Sequence, residues 1–225
     1  MYGGRLRTQN PGRYLRVVND GYYDSSTTLF SVGTTTVRWT VPTDAGIILV
    51  SAIGGGGNGG LGDGTFGGDG GGSGGVFWKY PIRLSPGTVV ELTAGNVQTA
   101  STIEIISTPE KTLQCPDGWQ RLVAGAGGAG GNTGGAGPGA GGSVGFEWTT
   151  FGTVNALYSQ GDAIAAKGIT GGSGGLSSGG TGAAPSINFG TDISGSNYGR
   201  GGYGDIPASR SSGGYGKGGV IILEW

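Results

Sequence analysis

The chain contains no histidine and a single cysteine, Cys115, among 225 residues. Without histidine it lacks the commonest metal ligand and general base, and one thiol cannot build an intramolecular disulfide framework. Charge is also scarce: 12% of residues are Asp, Glu, Lys or Arg, and the formal net charge is −1. Lys and Arg are scattered, so no basic stripe points to nucleic acid. No apolar run approaches membrane-spanning length, so membrane insertion is not expected. The start, MYGGRLRTQNPGRYLRVV, has no sustained apolar core of the kind a secretory signal carries. Release by lysis, as part of an assembled particle, would suit such a chain.

What is abundant is glycine, with 57 residues. That composition calls for either low complexity or a fold built on glycine. Apolar residues at 35%, with five Trp, nine Tyr and six Phe, argue against disorder, which goes with few aromatics and more charge.

Motifs of catalysis and cofactor binding fail on inspection. Gly125–Gly130 matches G-x-G-x-x-G, but GNTGGAGPG follows where a dinucleotide site needs a helix. GYGKGG at 214–219 lacks the Ser or Thr and the spacing of a phosphate loop. Asp63 and Asp69 lie six apart without the tandem array of a calcium repeat. Glu91, Glu104, Glu147 and Asp162 form no recognisable pair, and no triad can be assembled. The expectation is a non-enzyme with no cofactor and no metal. Cys115 reads as a buried or loop thiol.

Residues 1–37 are basic, with Arg5, Arg7, Arg13 and Arg16 around Tyr14, and Asn19-Asp20-Gly21 marks a turn after Tyr14–Val18. From there alternation predicts strands. Val37, Trp39 and Val41 alternate with polar neighbours, Pro42–Gly46 turns, and Ile47–Ile53 follows as the second arm of a hairpin. Val76–Leu84 and Thr88–Ala94 read as a second hairpin around Ser85-Pro86-Gly87. Thr102–Ser107, Leu122–Ala124, Val144–Trp148 and the terminal VIILEW are further strands. No stretch has a convincing helical period; Asp162–Lys167 is the nearest, as one short turn.

Between the strands run four glycine tracts, at 54–75, 125–142, 171–182 and 199–219. In the first, 15 of 22 positions are glycine. Many of the exceptions keep a step of three, though its phase drifts: Asn58 and Leu61; Asp63, Phe66 and Asp69; Ala126 and Ala129; Thr170, Ser173 and Leu176; Arg200 and Tyr203. Three residues per turn is the period of polyproline II, which places every third residue on one edge. At about 3.1 Å per residue the first tract would span about 68 Å as one rod. A compact chain of this length has a radius of gyration of roughly 17 Å. The tract must therefore fold back, with Asp63–Phe66 as the turn.

Ordering glycine costs about 1–2 kcal/mol of backbone entropy per residue. Rods packed through N–H···O=C bonds, with an apolar plug of strand residues at their ends, can offset that. The fold expected is mostly β with polyglycine II helices and almost no α-helix. Short antiparallel strands and hairpins would cap a sandwich of packed glycine rods over 38–225, preceded by an attachment segment, 1–37.

Trp39, Phe77, Trp78 and Trp148 sit in strands and read as core. Tyr198, Tyr203 and Tyr215 interrupt polar, glycine-rich sequence, and Phe151 and Tyr158 follow the second tract. Tyrosine among Ser, Gly and Asn is the composition of a recognition surface, although such rings could equally cover glycine rods.

VRWTVPTDAGIILVSAIGGGGNGG, its continuation GGSGGVFWKYPIRLSPGTVVELTAG and the ending GGYGKGGVIILEW resemble the glycine-rich domains of bacteriophage tail-fibre and tail proteins. The likeness covers about residues 37–225. It extends to the polyglycine II adhesins at the tips of T-even-type long tail fibres, though their N-terminal attachment region is not recognisable and 96–120 is an extended insert. The resemblance implies a virion protein that binds a protein or glycan receptor on the bacterial surface through loops on a glycine scaffold. Contacts would fall in 151–158, 187–198 and 203–210, with Phe151, Tyr158, Asn188, Tyr198, Tyr203, Arg210 and Tyr215 as candidates. Arg5, Arg7, Arg13, Tyr14 and Arg16 would face other tail or fibre proteins, a homotrimer being one assembly. The alternatives are a structural virion component, such as a fibre joint or decoration protein, and an ice-binding protein.

Overall fold

The computed structural model describes residues 14–18, 35–63, 65–109, 120–131, 139–142, 144–148, 152–154, 159–160, 163–166, 169–171, 180–185, 187, 197–204 and 214–225. The described part is mostly β-sheet and contains no helix.

Among the described residues, twelve strands form two antiparallel sheets. The first runs β1 (Tyr14–Val18), β12 (Val220–Glu224), β3 (Ile47–Ile53), β4 (Val76–Arg83), β11 (Ala163–Ala166), β10 (Ser159–Gln160). The second runs β2 (Thr35–Thr40), β5 (Val89–Ala94), β6 (Ser101–Ser107), β7 (Arg121–Ala124), β8 (Val144–Trp148), β9 (Gly152–Val154). Period-2 patterning decides which face each strand buries. In β5, Val90, Leu92 and Ala94 are buried while Val89, Glu91 and Thr93 are half-buried, and β6 repeats the alternation with Ile103 and Ile105. One apolar core draws on both sheets, with Ile48, Val50, Phe77, Ile82 and Leu223 from the first and Val90, Leu92, Ile103, Ile105 and Leu122 from the second.

Three expectations are corrected here. The strands flanking Pro42–Gly46 are not a hairpin: β2 pairs with β5, and β3 pairs with β4 and β12. The strands flanking Ser85-Pro86-Gly87 likewise part, β4 into the first sheet and β5 into the second. Both turns carry the chain across the core, and they are tied together, Val41 N–H donating to the Thr88 carbonyl at 2.9 Å and Gly87 N–H to the Val41 carbonyl at 2.8 Å. Gly87, at φ +83°, takes the left-handed conformation that suits glycine at such a turn. Sequence shows the turn; which sheet each arm joins depends on buried partners far along the chain. The helical turn at 162–167 is instead β11, whose Ala165 lies opposite Phe77 on β4. Alanine's helix propensity is weak beside an available strand edge.

The 37/38 boundary falls inside β2, and β1 from the basic segment is the edge strand against β12, Tyr14 opposite Glu224. The insert at 96–120 contains all of β6, an interior strand.

The glycine tracts are ordered by hydrogen bonds that recur every third residue. Label the segments I (54–61), II (67–75), III (125–131), IV (139–142), V (169–171), VI (180–185), VII (199–204) and VIII (214–219). In I, the N–H groups of Gly54, Gly57 and Gly60 donate to Gly75, Gly72 and Asp69 of II. The intervening Gly56 and Gly59 donate to Lys217 and Gly214 of VIII. In II, Asp69, Gly72 and Gly75 donate to Gly131, Gly128 and Gly125 of III, and Gly71 and Gly74 to Gly202 and Gly199 of VII. Segment II also receives bonds from IV (Gly139 and Gly142) and VI (Gly180 and Ala183) and donates through Ser73 to Ile169 of V. It is therefore enclosed by six others. The separations are too small for side chains: a Cβ on Gly57, Gly71 or Gly72 would collide with a carbonyl oxygen of another segment.

Where strands run into glycine, a second apolar cluster of Ile53, Val76, Val220 and Tyr198 closes the joint, flanked by Trp78, Ile187 and Ile222. Buried Ser101 pins the second sheet to it, its hydroxyl donating to the Ile53 carbonyl at 2.7 Å and accepting from Gly95 N–H at 3.0 Å. Ser101→Ala removes both bonds and strands a buried amide, so a loss of about 2 kcal/mol is expected in urea unfolding. A loss indistinguishable from zero would mean that this joint carries no weight.

Candidate functional site

All the strands that continue into segments meet them at one end, through Ile53-Gly54, Gly75-Val76, Ala124-Gly125 and Gly219-Val220. At the other end, Gly131 accepts from Asp69, Gly180 donates to Gly68, Gly204 donates to Gly180, and Gly214 accepts from Gly59. Gly139 and Gly171 lie one step in, bonded to Gly70 and to Gly139. The described ends of segments III to VIII at 131, 139, 171, 180, 204 and 214 thus lie toward the end remote from the strands, as does the connection 61–67; between those ends run 132–138, 172–179 and 205–213. The last three lie outside the described residues.

The first connection is the reversal expected at Asp63–Phe66. Asp63 Oδ1 accepts from the N–H groups of Thr65 and Phe66, each at 2.8 Å, and Asp63 N–H donates to the Phe66 carbonyl at 3.2 Å. This is an Asx turn, the local chemistry that makes aspartate a turn residue. It leaves Phe66 46% exposed and Leu61 39% exposed. Tyr203, one residue before the end of VII, is 50% exposed, with the Arg200 guanidinium carbon 4.6 Å from its ring centre.

The sequence candidates separate into distinct places. Tyr203 lies at the remote end, and Tyr215 is half-buried beside Gly214 there. Tyr198 is a correction as a contact residue. It is only 3% exposed, packed in the joint among Ile53, Val76 and Val220, with the Arg16 guanidinium carbon 5.3 Å from its ring centre. Arg16 is exposed on β1 opposite Ile222, and Tyr14 lies on the same strand. Within the stretch 151–158 the described residues, Gly152–Val154, form β9 on β8. Phe151, Tyr158, Asn188, Arg210, Arg5, Arg7, Arg13 and Cys115 lie outside the described residues.

Leu61, Phe66 and Arg200 are exposed or flanking groups that were not among the candidates. Their signal was present: Leu61 and Phe66 are apolar interruptions bracketing a turn aspartate, and Arg200 keeps the three-residue step with Tyr203. Among the described residues no group of three or more His, Cys, Asp or Glu gathers to hold a metal ion, and no helix is long and apolar enough to cross a membrane. What the remote end presents among the described residues is the exposed side chains of Leu61, Phe66 and Tyr203. No protein-family model matches the chain, and no curated protein matches it.

Proposed function

We propose that the chain is a non-catalytic adhesin of a bacteriophage virion. In this reading it is a tail-fibre protein that recognises a receptor, protein or glycan, on the host surface. A β-sandwich would mount a bundle of polyglycine II helices, and the bundle would hold loops away from the particle. The supporting observation is the segregation of the described residues into two ends, strands at one, and at the other the reversal at Asp63–Phe66 with exposed Phe66 and Tyr203. Glycine suits the purpose because segments without side chains pack closely, so many connections leave from a small area. The sheets would face other tail or fibre proteins, with a homotrimer as one assembly.

Labelled protein added to a panel of bacterial strains should decorate a subset of them and reduce plaque formation by the parent phage on those strains. Folded protein that decorates none and does not compete would overturn the reading.

A structural virion component is the second reading. It is favoured by exposed Ile47 on the first sheet, 54% exposed beside half-buried Leu49, a surface another subunit could cover. The position of the chain in the assembled particle, distal tip or internal joint, separates the two.

A further inference from the structure

Segment VII occupies a special place in the bundle. It is bonded to VI (Gly201 N–H to the Ala183 carbonyl), to II (Gly71 N–H to Gly202), to I (Gly202 N–H to Gly57) and to VIII (Lys217 N–H to Arg200). Those four neighbours are themselves contiguous, VI bonded to II, II to I and I to VIII. With six positions around each segment, as the surroundings of II define, VI and VIII must lie on opposite sides of VII. The three form one flat face. Among the described residues nothing covers the two remaining positions on VII.

Every third residue of VII points toward that uncovered side, and these are Arg200 and Tyr203. Tyr203 is half exposed and its ring is held by the Arg200 guanidinium. Arg200 Nε is buried without a hydrogen-bond partner among the described residues, and the residue as a whole is half-buried. Lys217 lies alongside, its N–H bonded to the Arg200 carbonyl at 2.8 Å. On the other flank VI presents only Thr181 and Ala184, both small and exposed. A ring, a guanidinium and a low shelf thus lie side by side on an open face. The shape fits an extended polymer.

We propose that the face formed by segments VI, VII and VIII binds an acidic polysaccharide, with Tyr203 stacking on a sugar ring and Arg200 pairing with an acidic group of the same polymer. This rests on the adhesin reading and gives its receptor a chemical class. Aromatic faces bind the C–H faces of sugars by dispersion. A planar guanidinium is suited to bidentate pairing with carboxylate or phosphate. Arg200 already ordered on Tyr203 loses little freedom on binding.

The test uses the full chain with alginate as the acidic probe and neutral dextran as its control. Wild-type protein should bind alginate and not dextran. Tyr203→Ala and Arg200→Gln should each weaken binding about tenfold or more, Tyr203→Phe should retain it, and Arg38→Gln on the second sheet should leave it unchanged. Far-UV circular dichroism verifies that each variant is folded.

No binding of alginate by the wild type, equal binding by Tyr203→Ala and Arg200→Gln, or an equal loss in Arg38→Gln would overturn the proposal. Decoration of cells without alginate binding would overturn it and leave the adhesin reading standing. Alginate binding without decoration of any strain would do the reverse.

Discussion

Gly71→Ala should lower the melting temperature by about 10 °C or more, the effect of a single methyl group placed where only backbone can stand. Gly71 lies in segment II, enclosed on all sides, and its N–H and carbonyl both bond to other segments, Gly202 and Ala183 respectively. A Cβ there would collide with the carbonyl oxygens of Gly57 and Asn58. A clash with a flexible side chain can be relieved by a rotamer change. Here the obstacle is the backbone of segment I, itself bonded to II, III, VII and VIII, so relief means shifting several segments together. The cost is that of overpacking at its upper end, about 3 kcal/mol or more. Gly46→Ala is the control. A Cβ at that turn meets nothing within 4 Å, and its effect should stay within about 0.5 kcal/mol. Differential scanning calorimetry of the pair reads both, and similar melting temperatures would mean that the glycines are a compositional accident.

Phe77→Ala should destabilise the protein by about 3–5 kcal/mol. Phe77 is fully buried on β4, with Tyr80 against it edge-on at 5.5 Å between ring centres and 68° between planes. It lies directly opposite Ala52 on β3 and Ala165 on β11. Ala52, itself buried, is too small to fill the space that the ring would leave. Val37→Ala is the contrasting variant, since Val37 lies 36% exposed on edge strand β2. Its loss should be a small fraction of that for Phe77. Equal losses in urea unfolding would mean that the core shared by the two sheets is not where the stability lies.

The two variants together separate the sources of stability. Each backbone hydrogen bond contributes a net of only about 0.5–1.5 kcal/mol, against about 1–2 kcal/mol of entropy for each residue ordered. The segments therefore depend on the apolar joint of Ile53, Val76, Val220 and Tyr198 that anchors their ends. Tyr198 illustrates why a recognition residue cannot be read from composition alone. Its neighbours in sequence, Asn197 and Gly199, have the character of an exposed loop, yet its ring fills the joint.

Strand positions were legible because alternation is local. Ile47–Ile53 and Val144–Trp148 match the structure at both ends, and Val76–Leu84 differs from β4 by one residue. Pairing was not legible. Pro42–Gly46 and Ser85-Pro86-Gly87 look like hairpin turns, and only the shared core shows that each carries the chain between sheets. Within the tracts the step of three from Asn58 to Leu61 and from Arg200 to Tyr203 carried real information. It marks edges that no neighbour occupies, as at Tyr203, or side chains with a place in the lattice, as at Asn58, whose Oδ1 accepts from Gly216 N–H at 3.0 Å. Which segment lies beside which could not be read, because glycine carries no side chain to record its neighbour.

Amide hydrogen exchange in the tracts tests the account most directly. If the segments form a packed lattice, the N–H groups of Gly57, Gly72, Gly74 and Gly202, all donors to other segments, should be protected to a degree comparable with Val50 and Leu92 in the sheet core. Exchange of these glycine amides at the rate of an unstructured chain, with Val50 and Leu92 still protected, would contradict it.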